Sequence, residues 1–495
     1  MSFYHRVRSL VLAWAWCSFF SALPLFAAHP SNILFIAIDD QNDWLGCLGG
    51  HPQVRTPNLD RLAARGTLFT SAHCQAPLCN PSRISLLTGL RPSTTGVHGL
   101  EPGLRQVPLL TNHVTLPQTY TRLGWYTYTC GKIYHDGSVR DTEREQEFAA
   151  WGPAPSPQSP ARPYSKMPQI HPAMDWGPFP EHAEDSADWK ISSAAITALR
   201  SAPNEKPFFI AAGFRLPHVP CFAPAPWFEL YPLDSLKLPE TKADDRADTP
   251  LFSWFLHWKL PEPRLSALQQ HNEWKPLVRA YLASVSFMDS QVGRVLDALE
   301  TSGRASQTLV VVWSDHGWHL GEKGITGKNS LWERSTRVPL IWAGPGVTGG
   351  ARCSRPVELL DVFPTLLELT GQPARPDLEG HSLVPQLREA SAPRPWPAIT
   401  THNQGNHSIR TERWRYIRYA DGTEELYDEQ NDPNEWTNLA ADPKTAAIRQ
   451  DLKRWLPKLD RPMVPGSRSR VLSYDPATKQ AVWEGRKIIP EELER

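Results

Sequence analysis

The pentapeptide Cys79-Asn80-Pro81-Ser82-Arg83 sets a thiol and a guanidinium about one helical turn apart. Pro81 suits a first helical turn, the residues to Thr88 can continue it, and Gly89 can stop it. Cys79 then stands at a helix N-terminus, where unpaired N–H groups and the macrodipole favour an anion. Two further groups follow apolar runs: Asp39-Asp40 after 33–38, and Asp315-His316 after 309–313. Lys132 and His135 come after the run 125–130, and His218 after 208–212. Polar groups thus gather past the carboxyl ends of four predicted strands, where open α/β sheets bind ligands. Taken alone, Asp39-Asp40 reads as readily as an ordinary turn, and Cys79 as a small buried residue.

The elements that must position these residues are legible in the apolar pattern. Residues 33–38 and 309–313 are continuous apolar runs, as strands buried on both faces require. Leu277, Tyr281, Val285, Met288, Val292, Val295 and Leu299 keep helical spacing up to Gly303, and 361–370 gives a second helix stopped by Gly371. Alternating strands and helices predict a large, mostly parallel central sheet flanked by helices. After about residue 385 the pattern changes. Residues 414–418 alternate, Asp421-Gly422 is a hairpin turn, and Glu425-Leu426-Tyr427 can return. Ile448, Leu452, Trp455 and Leu456 put one apolar face on a helix. A smaller C-terminal α+β subdomain with an antiparallel sheet is expected over 386–495, after a catalytic domain over 29–385. Prolines crowd 151–180 and exclude regular structure there. With Trp151, Tyr164, Trp176 and Phe179, that stretch reads as an ordered insertion over the cleft.

Composition narrows the class. Lys+Arg and Asp+Glu both number 52 in 495 residues, which gives no support to bulk nucleic-acid or membrane-surface binding. Forty-eight prolines, roughly twice ordinary usage, point to long ordered loops. At the N-terminus, His5, Arg6 and Arg8 precede an apolar stretch that ends near Phe26-Ala27-Ala28. Residues 1–28 therefore read as a secretory signal peptide and predict a secreted or periplasmic protein without stable membrane insertion. Cys47, Cys74, Cys79, Cys130, Cys221 and Cys353 are dispersed, with no disulfide framework.

The Cys79–Gly89 segment resembles the signature of the type I sulfatases, whose cysteine is oxidised to formylglycine by a maturase. The resemblance extends to Asn32-Ile33-Leu34 through Asp39-Asp40, to Gly131-Lys132, to Ser314-Asp315-His316-Gly317, and to Glu425-Leu426-Tyr427-Asp428 with Asp432-Pro433. Residues 213–220, 281–289 and His316 look closest to the iduronate-2-sulfatase-like branch. Leu216, where that branch has a basic residue, departs from it. The resemblance implies an alkaline-phosphatase-like sandwich that hydrolyses a sulfated carbohydrate. By the same likeness Asp39, Asp40, Cys79, Asp315 and His316 would face a divalent cation, Ca2+ or alternatively Mg2+. Three carboxylates suit such a hard cation. Cys79, as formylglycine, would be the nucleophile, Arg83 would fix its hydrated form, and Lys132 and His135 would assist collapse of the sulfated intermediate. His218 and Lys328 would bind the ester oxygen and protonate the leaving alcohol, with Lys323 the alternative lysine in that loop. Arg215, Trp176, Trp318 and His319 are the candidates for substrate recognition. The substrate implied is a 2-O-sulfated uronic acid of a glycosaminoglycan or similar polysaccharide.

Two other readings stay open at this point. A phosphoester or phosphonate hydrolase of the same superfamily would share the metal cradle, and an unmodified homologue would only bind carbohydrate.

Overall fold

The computed structural model describes residues 31–493 apart from 169, 170 and 172. The expected leader, 1–28, lies outside the described residues. Nine strands build the central sheet: β1 (Asn32–Asp39), β2 (Thr67–His73), β3 (Tyr126–Gly131), β4 (Ala150–Trp151), β5 (Phe208–Pro217), β6 (Thr308–Ser314), β7 (Arg337–Ala343), β8 (Ala351–Cys353) and β9 (Val357–Glu358). Their order is β8-β2-β7-β6-β1-β5-β3-β4, with β9 also on β2. Only β7 runs antiparallel to its neighbours. The sheet is therefore mostly parallel, and the four predicted strands with polar ends are β1, β3, β5 and β6.

The unbroken apolar run of β1 divides between two cores. Leu34, Ile36 and Ile38 face a layer with α1 (Pro57–Ala64), α3 (Ala187–Ser201) and α4 (Trp274–Thr301), through Tyr281, Val285, Met288 and Val292 of α4. Ile33, Phe35 and Ala37 face the opposite layer, with Ile84 and Leu87 of α2 (Cys79–Thr88) and Phe363 and Leu366 of α5 (Val362–Leu369). This is the three-layer sandwich of the alkaline-phosphatase-like fold. Burial on both faces explains why neither β1 nor β6 alternates.

Parallel register gathers the strand ends. Ile38 of β1 lies beside Ser314 of β6 and Phe214 of β5, and Gly131 of β3 beside Gly213. The residues that follow each strand therefore emerge at one edge of the sheet. Gly213 has a specific role there. A β-carbon on it would stand 2.2 Å from the Lys132 carbonyl, so only glycine lets the two chains approach while Lys132 N–H donates to Gly213 O at 2.8 Å.

The C-terminal part is an antiparallel sheet of β10 (Ala398–Thr401), β11 (His407–Arg410), β12 (Trp414–Arg418) and β13 (Glu424–Asp428), with helix α6 (Ala446–Lys453) against it. Thr401 N–H donates to Gln75 O at 2.8 Å and Thr400 Oγ1 to Cys74 O at 2.6 Å, which ties β10 to the turn leading into Cys79. Arg415 of β12 is buried among Glu333, Glu429 and Glu435. The Pro-rich stretch is mostly coil. Its end is ordered by Asp175, whose carboxylate accepts from the Tyr164, Ser165 and Trp176 amides, and by a short strand Trp176–Pro178 paired with Cys221–Ala223. All six described cysteines are free thiols. Among the described residues, no helix is long and apolar enough to cross a membrane.

Candidate active site

Cys79 is the first residue of α2, after Leu78 in extended conformation, and Gly89 at φ 73° closes the helix. Asn80 Nδ2 donates to Gly99 O and Pro102 O at 3.2 and 3.1 Å, fixing the helix start. All ten residues of α2 are buried. The helix end and the four strand ends meet at the Cys79 sulfur. His316 Nε2 is 3.3 Å from it, Lys328 Nζ 3.1 Å, Lys132 Nζ 3.9 Å and Asp40 Oδ1 4.0 Å. His135 also favours the thiolate. Burial pushes the Cys79 thiol up, but Lys132, Lys328 and His316 outweigh it and hold it well below the ordinary thiol range.

Beneath Cys79, Arg83 ties the carboxylates together. Its Nη2 donates to Asp39 Oδ1 at 2.9 Å and its Nε to Asp315 Oδ2 at 2.8 Å, while Nη1 reaches the carbonyls of Lys132 and Ile133. Lys132 Nζ also pairs with Asp39. Asp315 Oδ1 accepts from the Asp40 and His316 amides, each at 3.1 Å. Lys328 Nζ pairs with Asp40 Oδ1 at 2.8 Å. Burial alone would push Lys328 down, yet Asp40 and Cys79 hold its ammonium protonated, well above the ordinary lysine range. Burial likewise opposes the Asp39 carboxylate, and Lys132, His218 and Arg83 together outweigh it and keep the group ionised.

The site's donor set fits a hard cation. Ligand atoms of Asp40, Cys79, Asp315 and His316 lie within 4.8 Å of one another, as do those of Asp39, Asp40 and His218. Asp40 Oδ2 is buried and accepts no hydrogen bond, an oxygen that calls for a partner. His316 Nδ1 faces Gly317 O at 3.1 Å, and its Nε2 points at Asp40 and Cys79. Three carboxylates (Asp39, Asp40, Asp315) are matched by three basic side chains (Arg83, Lys132, Lys328). A divalent ion would leave the buried cluster positive and ready for an anionic substrate.

His218 and His135 are only half-buried, unlike the rest of the cluster. His218 Nδ1 donates to Val219 O at 2.5 Å, and its Nε2 stands 3.8 Å from Asp40 Oδ2. The structure thus brings Asp39, Asp40, Cys79, Arg83, Lys132, His135, His218, Asp315, His316 and Lys328 together. Of the two lysines in the loop, Lys323 is elsewhere, paired with Asp245 at 2.7 Å.

The four substrate candidates stand differently. Arg215 is held by Asp136 through two bonds of 2.8 and 3.0 Å. Trp318 is buried, and Lys328 Nζ sits 5.6 Å over its ring, so it underlies Lys328. Trp176 donates from Nε1 to Glu273 at 2.8 Å within the core, and His319 Nε2 bonds Ser330 Oγ at 2.9 Å. Neither is brought to Cys79. Sequence reading missed Tyr281 as more than a core residue. Its hydroxyl donates to Asp40 O at 2.8 Å and accepts from Asn42 N–H at 3.1 Å. It also missed Asp188, whose carboxylate accepts the Arg215 and Leu216 amides, and Arg470, which acts on Cys79 and Asp40 from the C-terminal segment. A lone polar residue in a helical pattern gives little signal of such a role.

Known proteins resemble this chain in sequence and in fold. Residues 31–372 match the family model Sulfatase, and 321–461 match N-sulphoglucosamine sulphohydrolase, C-terminal. A sulfatase of Formosa agariphila is 40% identical, covering 86% of each chain. Iduronate 2-sulfatase of Mus musculus is 31% identical over 71% of this chain and 70% of its own. A phosphonate monoester hydrolase from Silicibacter pomeroyi superposes with a TM-score of 0.70 at 23% identity, over 86% of this chain and 94% of its own, a likeness of fold.

Proposed function

The chain belongs to the sulfatase family and is a sulfatase, and from that premise we propose that it removes the 2-O-sulfate from a uronic acid unit of a glycosaminoglycan or similar polysaccharide. The observation that carries the reaction is the convergence on Cys79 of a helix N-terminus, three carboxylates and three basic side chains. The sugar is supported by the 31% identity to an iduronate 2-sulfatase. A maturase converts Cys79 to formylglycine, and the leader 1–28 directs the protein to the periplasm or outside the cell.

A divalent cation held by Asp39, Asp40, Asp315 and His316 would draw charge from the sulfate oxygens. A hydrated formylglycine at position 79 would supply one hydroxyl for attack on sulfur and a second for the release of sulfate. The chain's own residues do the remainder. Arg83 locks the carboxylates by charge-assisted bonds on Asp39 and Asp315. Lys132 Nζ and Lys328 Nζ, both beside Cys79, hold the sulfate anion. His218 Nε2, at the mouth, and Lys328 Nζ deliver a proton to the ester oxygen, so the sugar leaves as an alcohol. His135 removes a proton beside residue 79. The balance is one ester and one water consumed, and one alcohol, one sulfate and one proton released.

The test is sulfate release by enzyme co-expressed with a maturase. A disaccharide with a terminal 2-O-sulfated iduronate is expected to be desulfated far faster than its 6-O-sulfated isomer or phenyl phosphonate. Preference for the phosphonate would overturn the sulfate reading, and preference for the 6-O isomer would overturn the sugar position.

A further inference from the structure

Away from Cys79 the described residues form a second cavity of about 900 Å³, lined by Lys242, Asp245, Arg246, Trp254, Arg264 and Lys323 among others. Its unusual member is Arg246, only 8% exposed. Its guanidinium lies 3.5 Å over the Trp254 ring and 4.8 Å from that of Trp332. Nη2 donates to Ser253 Oγ at 2.8 Å, whereas Nε and Nη1 are buried and donate to nothing among the described residues. Burial, with Arg264 beside it, pushes this arginine down to about 9. Glu425 acts on it from the core side without offsetting that burial, and a cation so weakly matched is costly to hold. The neighbouring Lys323, by contrast, is matched by Asp245 at 2.7 Å. Four basic and two acidic side chains line the cavity, Lys242 being paired with Asp244 at 3.4 Å, so the excess charge is positive and its field favours an anion. Trp254, half-buried beside the cation, supplies an apolar ring face of the kind that sugars stack on.

The cavity is joined to the catalytic loop. Lys323 and Lys328 flank the short strand Thr326–Gly327, paired with His319–Leu320. Glu262, two residues before Arg264, pairs with Arg470 at 2.7 Å, and Arg470 Nη1 donates at 2.6 Å to Asn329, next to Lys328.

We propose that this cavity is a second anion-binding site that takes a carboxylated or sulfated sugar unit, distinct from the unit whose ester is cleaved at Cys79. That the ligand is a sugar rests on the sulfatase reading; that it is an anion rests on Arg246 and its neighbours.

The experiment is calorimetric titration of a heparin-derived tetrasaccharide into the full-length Cys79→Ala protein at about 0.15 M salt, with Arg246→Gln or Lys242→Glu added. Each addition is expected to weaken binding by about tenfold or more. With Cys79 intact, turnover of nitrocatechol sulfate should stay within about twofold of the parent, a change of under about 0.5 kcal/mol. Unchanged tetrasaccharide binding in both folded variants overturns the site. Should Arg246→Gln fail to fold, the exposed Lys242→Glu decides alone. Inorganic sulfate that binds as tightly as the tetrasaccharide, with the same loss in the variants, overturns the sugar ligand in favour of a free anion. Failure of the parent to cleave nitrocatechol sulfate counts against the sulfatase reading and leaves the binding comparison intact.

Discussion

Replacing Tyr281 by Phe removes one oxygen and isolates a single structural claim. The hydroxyl donates to Asp40 O at 2.8 Å and accepts from Asn42 N–H at 3.1 Å, and the residues at both ends are buried. Asp40 also sits at φ 61°, a left-handed conformation that an L-residue keeps only when its surroundings enforce it. Each buried backbone group left unpaired costs about 1–3 kcal/mol, so losing two should lower stability by about 2–6 kcal/mol. The ring stays packed edge-on against Trp44, and no cavity term adds to this. Tyr120→Phe is the control, because its hydroxyl bonds only Thr370 Oγ1, at 3.0 Å, and about 1 kcal/mol is expected. Urea unfolding followed by tryptophan fluorescence reads both. A loosened Asp40 should also lower kcat/KM by about tenfold to a hundredfold. Equal, small losses in the two variants would refute the assignment of Tyr281 as the clamp on Asp40.

Other outcomes follow from the same geometry. Lys328→Ala should slow cleavage of an alkyl sulfate ester about 10²–10⁴-fold and slow nitrophenyl sulfate less, since a phenolate leaves without a proton; initial rates on the pair give the ratio. Chelation should abolish activity, and calcium or magnesium should restore it, with about 2.7 kcal/mol of added stability at a hundredfold excess over Kd, read by thermal unfolding. Arg415→Met leaves Glu333, Glu429 and Glu435 without their shared cation and should cost about 3–5 kcal/mol, measured by the same unfolding assay.

What could be read from sequence follows from how each signal arises. The β1 and β6 runs were legible because a strand buried on both faces must be apolar without alternation, and the parallel register then fixes where Asp39, Asp40 and Asp315 emerge. The N-terminal position of Cys79 was legible because Pro81 and Gly89 punctuate the helix. Recognition residues were harder to foresee because residue type does not reveal a distant partner. Trp176 is taken by Glu273, 97 positions away, and Arg215 by Asp136. The antiparallel course of β7 is hidden for a similar reason, since its apolar residues 338–343 fit either direction. Arg470 lies in a segment without periodic pattern, and only the folded chain brings it to Asn329, next to Lys328.

The central claim is that Cys79 acts as formylglycine in this cluster, and mass spectrometry of the peptide spanning it is the direct measurement. On protein from the native or a maturase-bearing host, the account predicts a loss of about 18 Da as the thiol-bearing carbon becomes an aldehyde. An unmodified thiol in the native host would contradict it.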